Sequence, residues 1–122
     1  MRGFKANAVA AVELPEHEAF SVLLSEHPDG DGERLEFHRA FSFDEQDRVL
    51  GMDTYCLCTE AGTAYGGVTS WTLTRDSLEV RLDETTAGLL GVEGGFLVNF
   101  PQEHLQTLRE GLERVLGSTS AP

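Results

Sequence analysis

Cations are scarce in this sequence: nine Lys and Arg stand against 21 Asp and Glu, and the formal net charge is −12 over 122 residues. A chain so poor in positive charge lacks the footprint that phosphate backbones require, which excludes direct nucleic-acid binding. An anionic membrane surface repels it for the same reason, whereas a basic protein partner is attracted and steered. Solubility alone explains the acidity as readily. Long apolar runs are also missing, so no segment is expected to span a bilayer. Met1-Arg2-Gly3-Phe4-Lys5 leads into alternating small and polar residues rather than the apolar stretch of a signal peptide, so the expected location is cytoplasmic.

Cysteine is limited to Cys56 and Cys58. On a strand the two share a face, side by side and poorly placed to bond to each other, which predicts buried free thiols. As half of a metal site they would need partners among His17, His27, His38 and His104, none of which is paired at ligand spacing, so no metal and no cofactor is expected. His27-Pro28-Asp29-Gly30-Asp31-Gly32 resembles a calcium loop only superficially. Counted from Asp29, Arg34 and Ala40 fall where Gly and Glu are needed, so a solvated turn is expected.

Catalytic motifs are absent as well. No G-x-S-x-G, H-E-x-x-H, G-x-x-x-x-G-K or G-x-G-x-x-G occurs, and the histidines are dispersed away from any nucleophile setting. No catalytic residue is assigned, and the chain is not expected to be an enzyme. Gly66-Gly67 lacks the lysine of a phosphate loop and lies within a strand-like stretch, where paired glycines mark a bulge or the close approach of another chain.

What is present is ordinary for a globular protein: 40% hydrophobic and 25% charged residues. At this length one domain is expected, and roughly two thirds of the chain's surface is hidden on folding, enough for a core without disulfides or metal. Residues 4–14 alternate weakly up to Pro15, and 17–25 carry Phe20, Val22 and Leu24 on alternate positions, so both read as strands. Leu35, Phe37 and Phe41 share one face of a further strand that Arg39 interrupts. Residues 43–53 follow neither period and read as the densest acidic loop. A hairpin then runs through Tyr55–Cys58, a turn at Ala61-Gly62-Thr63, and a long stretch from Ala64 to Thr74 with Trp71 in the core and Tyr65 at the surface.

Leu78, Val80 and Leu82 alternate strictly with Glu79, Arg81 and Asp83, the clearest strand signal in the chain. Asp83 is placed to N-cap a short helix that Gly91 stops, and Phe96, Val98 and Phe100 give the last strand. Pro101 opens an amphipathic helix through Leu105, Leu108, Leu112, Val115 and Leu116 that must pack on a sheet, with Arg109–Glu113 and Glu110–Arg114 pairs outside and Gly111 costing about 1 kcal/mol against alanine. Strands come first and helices last without βαβ alternation. The expected fold is therefore α+β: a mainly antiparallel β-sheet with a short helix and a C-terminal amphipathic helix packed on it, one domain over residues 1–117 and a disordered tail over 118–122.

Gln46-Asp47-Arg48-Val49-Leu50-Gly51-Met52-Asp53-Thr54-Tyr55-Cys56, then Tyr65-Gly66-Gly67-Val68, then Leu78-Glu79-Val80-Arg81-Leu82 resembles the immunity protein 10 family of bacterial polymorphic-toxin systems. The likeness extends from about Phe4 to Leu116. It implies a small α+β cytoplasmic protein, encoded beside a toxin, that binds and neutralises the cognate toxin domain without catalysis. It supplies no contact residues, so these come from physics. Carboxylates on a loop suit the positive cleft of a basic, nuclease-type toxin. Asp44, Glu45, Asp47 and Asp53 are the candidate partner-facing charges, with Tyr65 as an aromatic anchor. The same segment is as readily a fold element, with Asp47 capping a turn and Gly51 supplying an unusual backbone angle. Two other readings stand beside this one: a small-molecule-binding module or small enzyme with a pocket between sheet and helix, and a homodimer joined through an uncovered edge strand.

Overall fold

Strand alternation and glycine placement divide the chain between two sheets. In the computed structural model, which describes residues 1–29 and 31–117, β1 (Arg2–Lys5), β7 (Val68–Leu73), β8 (Ser77–Leu82) and β9 (Gly95–Asn99) form a four-stranded sheet in the order β1-β9-β8-β7. Strands β2 (Ala8–Leu14), β3 (Ala19–Ser25), β4 (Arg34–Ala40), β5 (Cys56–Thr59) and β6 (Gly62–Tyr65) form a five-stranded antiparallel meander in sequence order. Only β1 and β9 pair in parallel among the described strands. Among the described residues three α-helices, α1 (Glu45–Val49), α2 (Glu84–Leu90) and α3 (Leu105–Leu116), and two single 3-10 turns, Pro15–His17 and Gln102–His104, complete the fold. This is the expected α+β class, with the C-terminal helix on a sheet. The expected tail over 118–122 lies outside the described residues. No helix among the described residues is long and apolar enough to cross a membrane.

Side chains from both sheets, α2 and α3 meet in one core cluster that includes Val22, Leu24, Leu35, Phe37, Leu57, Trp71, Leu78, Val80, Phe96, Leu108 and Leu112. Helix α3 packs against β2, β3 and β4. Its apolar stripe enters the core at Leu108, Leu112 and Val115, all fully buried. Beside this packed stripe, an open groove of about 360 Å³ runs between α3 and the sheet, lined by Ala11, Phe20, Thr107, Glu110, Gly111 and Arg114. Arg39 also lies on the core side of β4, where its guanidinium donates to the Val115 carbonyl at 3.1 Å and sits 5.7 Å from the Phe43 ring centroid. That contact satisfies the last turn of α3 and explains how a charge interrupts an apolar face.

Several boundaries differ from the sequence reading. The stretch 4–14 is not one strand: Ala6 and Asn7 carry the chain from β1 into the other sheet, with Ala6 N–H on the Asn99 carbonyl and Asn7 N–H on that of Ser25. No Gly or Pro marks that crossing, so the pattern conceals it. The stretch 64–74 breaks at Gly66 and Gly67, whose φ of 70° and 95° turn the chain from β6 into β7. A Cβ on Gly67 would lie 2.0 Å from Thr86 Oγ1. The close approach is thus at Gly67 alone and is made by α2 of the same chain, whereas a Cβ on Gly66 would meet only Thr54 Cγ2 at 3.6 Å. Phe41, expected on the core face, lies beyond the end of β4 and is exposed.

On α3, Arg114 does not pair with Glu110. It reaches Glu13 on β2 at 2.9 Å and stacks 4.1 Å from the Phe20 ring centroid, and among the described residues no ion pair joins Arg109 to Glu113. Gly111 now has a packing reason. A Cβ there would lie 2.8 Å from Val22 Cγ2 and 3.1 Å from Ala11 Cβ. Gly111→Ala gains about 1 kcal/mol of helix propensity but forces the helix off the sheet, an overpacking of about 1–3 kcal/mol. Urea unfolding should therefore show a net loss of about 1 kcal/mol, and a gain would mean that α3 lifts freely from β2 and β3.

Candidate functional site

The acidic segment is not a loop throughout: residues 45–49 form α1. Asp44 is its N-cap, in extended conformation, and accepts from the Asp47 N–H at 2.8 Å while the Asp47 carboxylate accepts from the Asp44 N–H at 3.1 Å. This reciprocal capping box stabilises a helix too short to persist on propensity. Gly51, at φ 72°, turns the chain out of it, and the Met52 N–H returns to the Asp47 carbonyl. Asp44 and Asp47 thus act first in the fold, as the alternative reading of Asp47 and Gly51 expects. Glu45 and Asp53 are exposed and have no such tie.

A five-residue helix has no face to bury, and α1 contains no buried residue. Val49 and Leu50 at its end are 79% and 59% exposed. Two adjacent large apolar side chains, next to Arg48 and within a segment that carries Glu45, Asp47 and Asp53, make an exposed apolar tip on an acidic segment. Sequence reasoning attended to the charges and missed this tip; the signal was an apolar pair in a segment with neither strand nor helix periodicity.

Asp53 leads into Thr54, which lines a groove of about 370 Å³ with His17, Ala19, His38, Ala40, Cys56 and Tyr65. Tyr65 is 46% exposed on the edge strand β6, directly across from Cys56. Tyr55 is different: its hydroxyl accepts from the Val68 N–H at 2.9 Å, and burial pushes its phenol upward, so it ties the two sheets together. Of the candidate residues, hydrogen bonds join only Asp44 and Asp47; Glu45 lies in α1, Asp53 lies beyond its end, and Tyr65 lines the groove with Thr54.

The groove floor belongs to the face of the five-stranded sheet opposite the core, where β4 and β5 place Glu36 across from Cys58 and His38 across from Cys56. His38 Nε2 lies 2.9 Å from Glu36 Oε2, and that hydrogen bond raises the His38 pKa and lowers that of Glu36 against the opposing effect of burial. Ser21 on β3 donates to Glu36 Oε2 at 3.0 Å. The two sulfurs lie 4.0 Å apart, unbonded and half-buried rather than buried. A weak S–H···S contact joins the two thiols; that contact, with Thr63 and His38, lowers the Cys58 pKa, while the same contact and burial raise that of Cys56. Pairing along the chain hides this group, because His38 and Cys58 are 20 positions apart and meet only through strand register.

No curated protein and no solved structure matches the chain. The model of a family described as Immunity protein 10 matches residues 5–107, a span that runs from the end of β1 into α3 and contains both α1 and the groove. With that match over most of its length, the chain belongs to the immunity protein 10 family, and membership implies a protein of immunity against a toxin.

Proposed function

We propose that this protein neutralises a cognate bacterial toxin domain in the producing cell by direct binding, without catalysis, and that the segment 44–53 with Tyr65 is the surface that meets it. The observation that carries this reading is the exposure of Val49 and Leu50 at the tip of an acidic segment. Protein interfaces combine a desolvated apolar centre with a polar rim, and the apolar anchors supply most of the binding energy. Glu45 and Asp53 then act at longer range, drawing in a basic toxin domain of nuclease type and aligning it. The capping box holds this tip in one conformation, which reduces the ordering penalty on binding.

The test is titration of this protein into an inactivated form of the toxin domain encoded beside its gene, at low and moderate salt. Stoichiometric binding that weakens with salt is expected. Glu45→Lys with Asp53→Lys leaves the capping box intact and should slow association by about tenfold at low salt. Leu50→Asp should instead accelerate dissociation, with a loss of about 2 kcal/mol or more. Unchanged kinetics in both variants, with the fold retained, would remove this segment from the interface.

A further inference from the structure

We propose that Glu36, His38, Cys56 and Cys58 form a binding site for one thiophilic divalent cation of the zinc type. The inference is independent of the toxin-binding surface, since it rests only on the register of β4 and β5. Glu36 pairs with Cys58 and His38 with Cys56, so four ligand-bearing side chains stand at the corners of a two-by-two square on one sheet face. One ligand atom from each of Glu36, His38 and Cys58 lies within 4.8 Å of the other two, and Cys56 Sγ is 4.0 Å from Cys58 Sγ.

Two of these separations, sulfur to sulfur and imidazole to carboxylate, are close to those of a tetrahedral ion. A zinc–sulfur bond of about 2.3 Å sets the two sulfurs about 3.8 Å apart, and zinc–nitrogen and zinc–oxygen bonds of about 2.0 Å set those atoms about 3.3 Å apart. The sulfurs are at 4.0 Å and His38 Nε2 is 2.9 Å from Glu36 Oε2. Glu36, His38 and Cys58 already form the mutually close set, and Cys56, the cross-strand partner of His38, completes it by turning its sulfur toward the other three. Two sulfurs, an imidazole and a carboxylate favour zinc over calcium or magnesium, for which this set offers one oxygen-bearing residue.

The surroundings support the ligands as a metal site requires. Ser21 donates to Glu36 Oε2 at 3.0 Å and Thr63 Oγ1 donates to Cys58 Sγ at 3.6 Å, so neighbouring strands on both sides orient the set. His38 and Cys56 also line the open groove with Tyr65 and Thr54, which gives an ion a path in. On binding, the thiols release their protons and His38 coordinates as neutral imidazole through Nε2, exchanging its contact with Glu36 for a shared ion. Two thiolates and one carboxylate around a dication leave the centre at a formal charge of −1.

Cobalt serves as the spectroscopic probe. The reduced, full-length protein is titrated with Co²⁺, and Zn²⁺ is then added in competition with a chromophoric chelator. One equivalent of Co²⁺ should give sulfur-to-metal charge-transfer absorption with the intense visible bands of tetrahedral coordination, and Zn²⁺ should displace it. Cys58→Ser leaves Cys56 as the one thiolate, so it should lower the charge-transfer absorption per bound cobalt and weaken zinc binding by more than about 100-fold, beyond the 10–100-fold typical of supporting residues. Ser21→Ala should weaken it by about tenfold while leaving the absorption in place. His38→Gln provides the second ligand variant where Cys58→Ser does not fold, with far-UV circular dichroism as the control. Weak octahedral bands without charge transfer, or zinc affinity unchanged in the folded ligand variants, would overturn the site.

Discussion

Gly95→Ala should remove about 3–5 kcal/mol of stability, combining a strained backbone conformation with overpacking against a neighbouring strand. Gly95 begins β9 at φ 143°, and a Cβ there would lie 1.9 Å from the carbonyl oxygen of Val80 and 2.9 Å from its carbonyl carbon. The obstacle is backbone, so no side chain can rotate away. Strand β8, which carries it, is paired on both sides, with β7 and with β9, and Val80 itself is fully buried. Retreat of β8 would disturb Trp71 across one ladder and Phe96 across the other. A domain stable by about 5–15 kcal/mol survives such a loss only marginally. Urea unfolding is the measurement, and a midpoint within error of the parent would show that β9 can shift its entry register without breaking the sheet.

The sequence carried the local signals faithfully where one residue type has one conformational use. Asp83 caps α2 through the Thr86 N–H, and Gly91 ends it at φ 68°. Strand β8 alternates as its residues require, and Trp71 is buried. What the pattern could not carry was the division into two sheets. Alternation reports that a residue faces in or out of a sheet, not which sheet it belongs to. At Ala6-Asn7 the chain changes sheets without any turn former, and at Gly66-Gly67 it changes sheets at a place that equally well reads as a bulge.

The candidate sites divide along the same line. Charge is additive along a chain, so the acidic segment was visible at once, and so was the exposure of Tyr65. The capping box was half visible, as the reading of Asp47 as a cap, but the consequence that α1 ends on an exposed Val49-Leu50 pair depends on knowing that a helix forms there and stops at Gly51. The Glu36–His38–Cys56–Cys58 square was invisible for a different reason. Cross-strand neighbours are set by register, and the long connection from β4 through α1 to β5 leaves that register open in the sequence. The juxtaposition of these four positions follows from the register of β4 and β5.

Phe37→Ala offers the sharpest separation of the two faces of β4. Phe37 lies between Glu36 and His38 in the chain but points the other way, fully buried in the core. Its truncation opens a cavity beneath the sheet that rigid strands on either side, β3 and β5, cannot fill, and a loss of about 3–5 kcal/mol is expected. The melting temperature should fall by about 10 °C or more. His38→Gln, one residue along and half-buried on the opposite face, loses a hydrogen bond to Glu36 that glutamine can partly replace, so about 1 kcal/mol is its expected effect. The two variants therefore differ severalfold in stability although they are adjacent. Comparable losses at both positions would mean that the polar face bears on folding as heavily as the core, and the square would then have to be regarded first as a structural network.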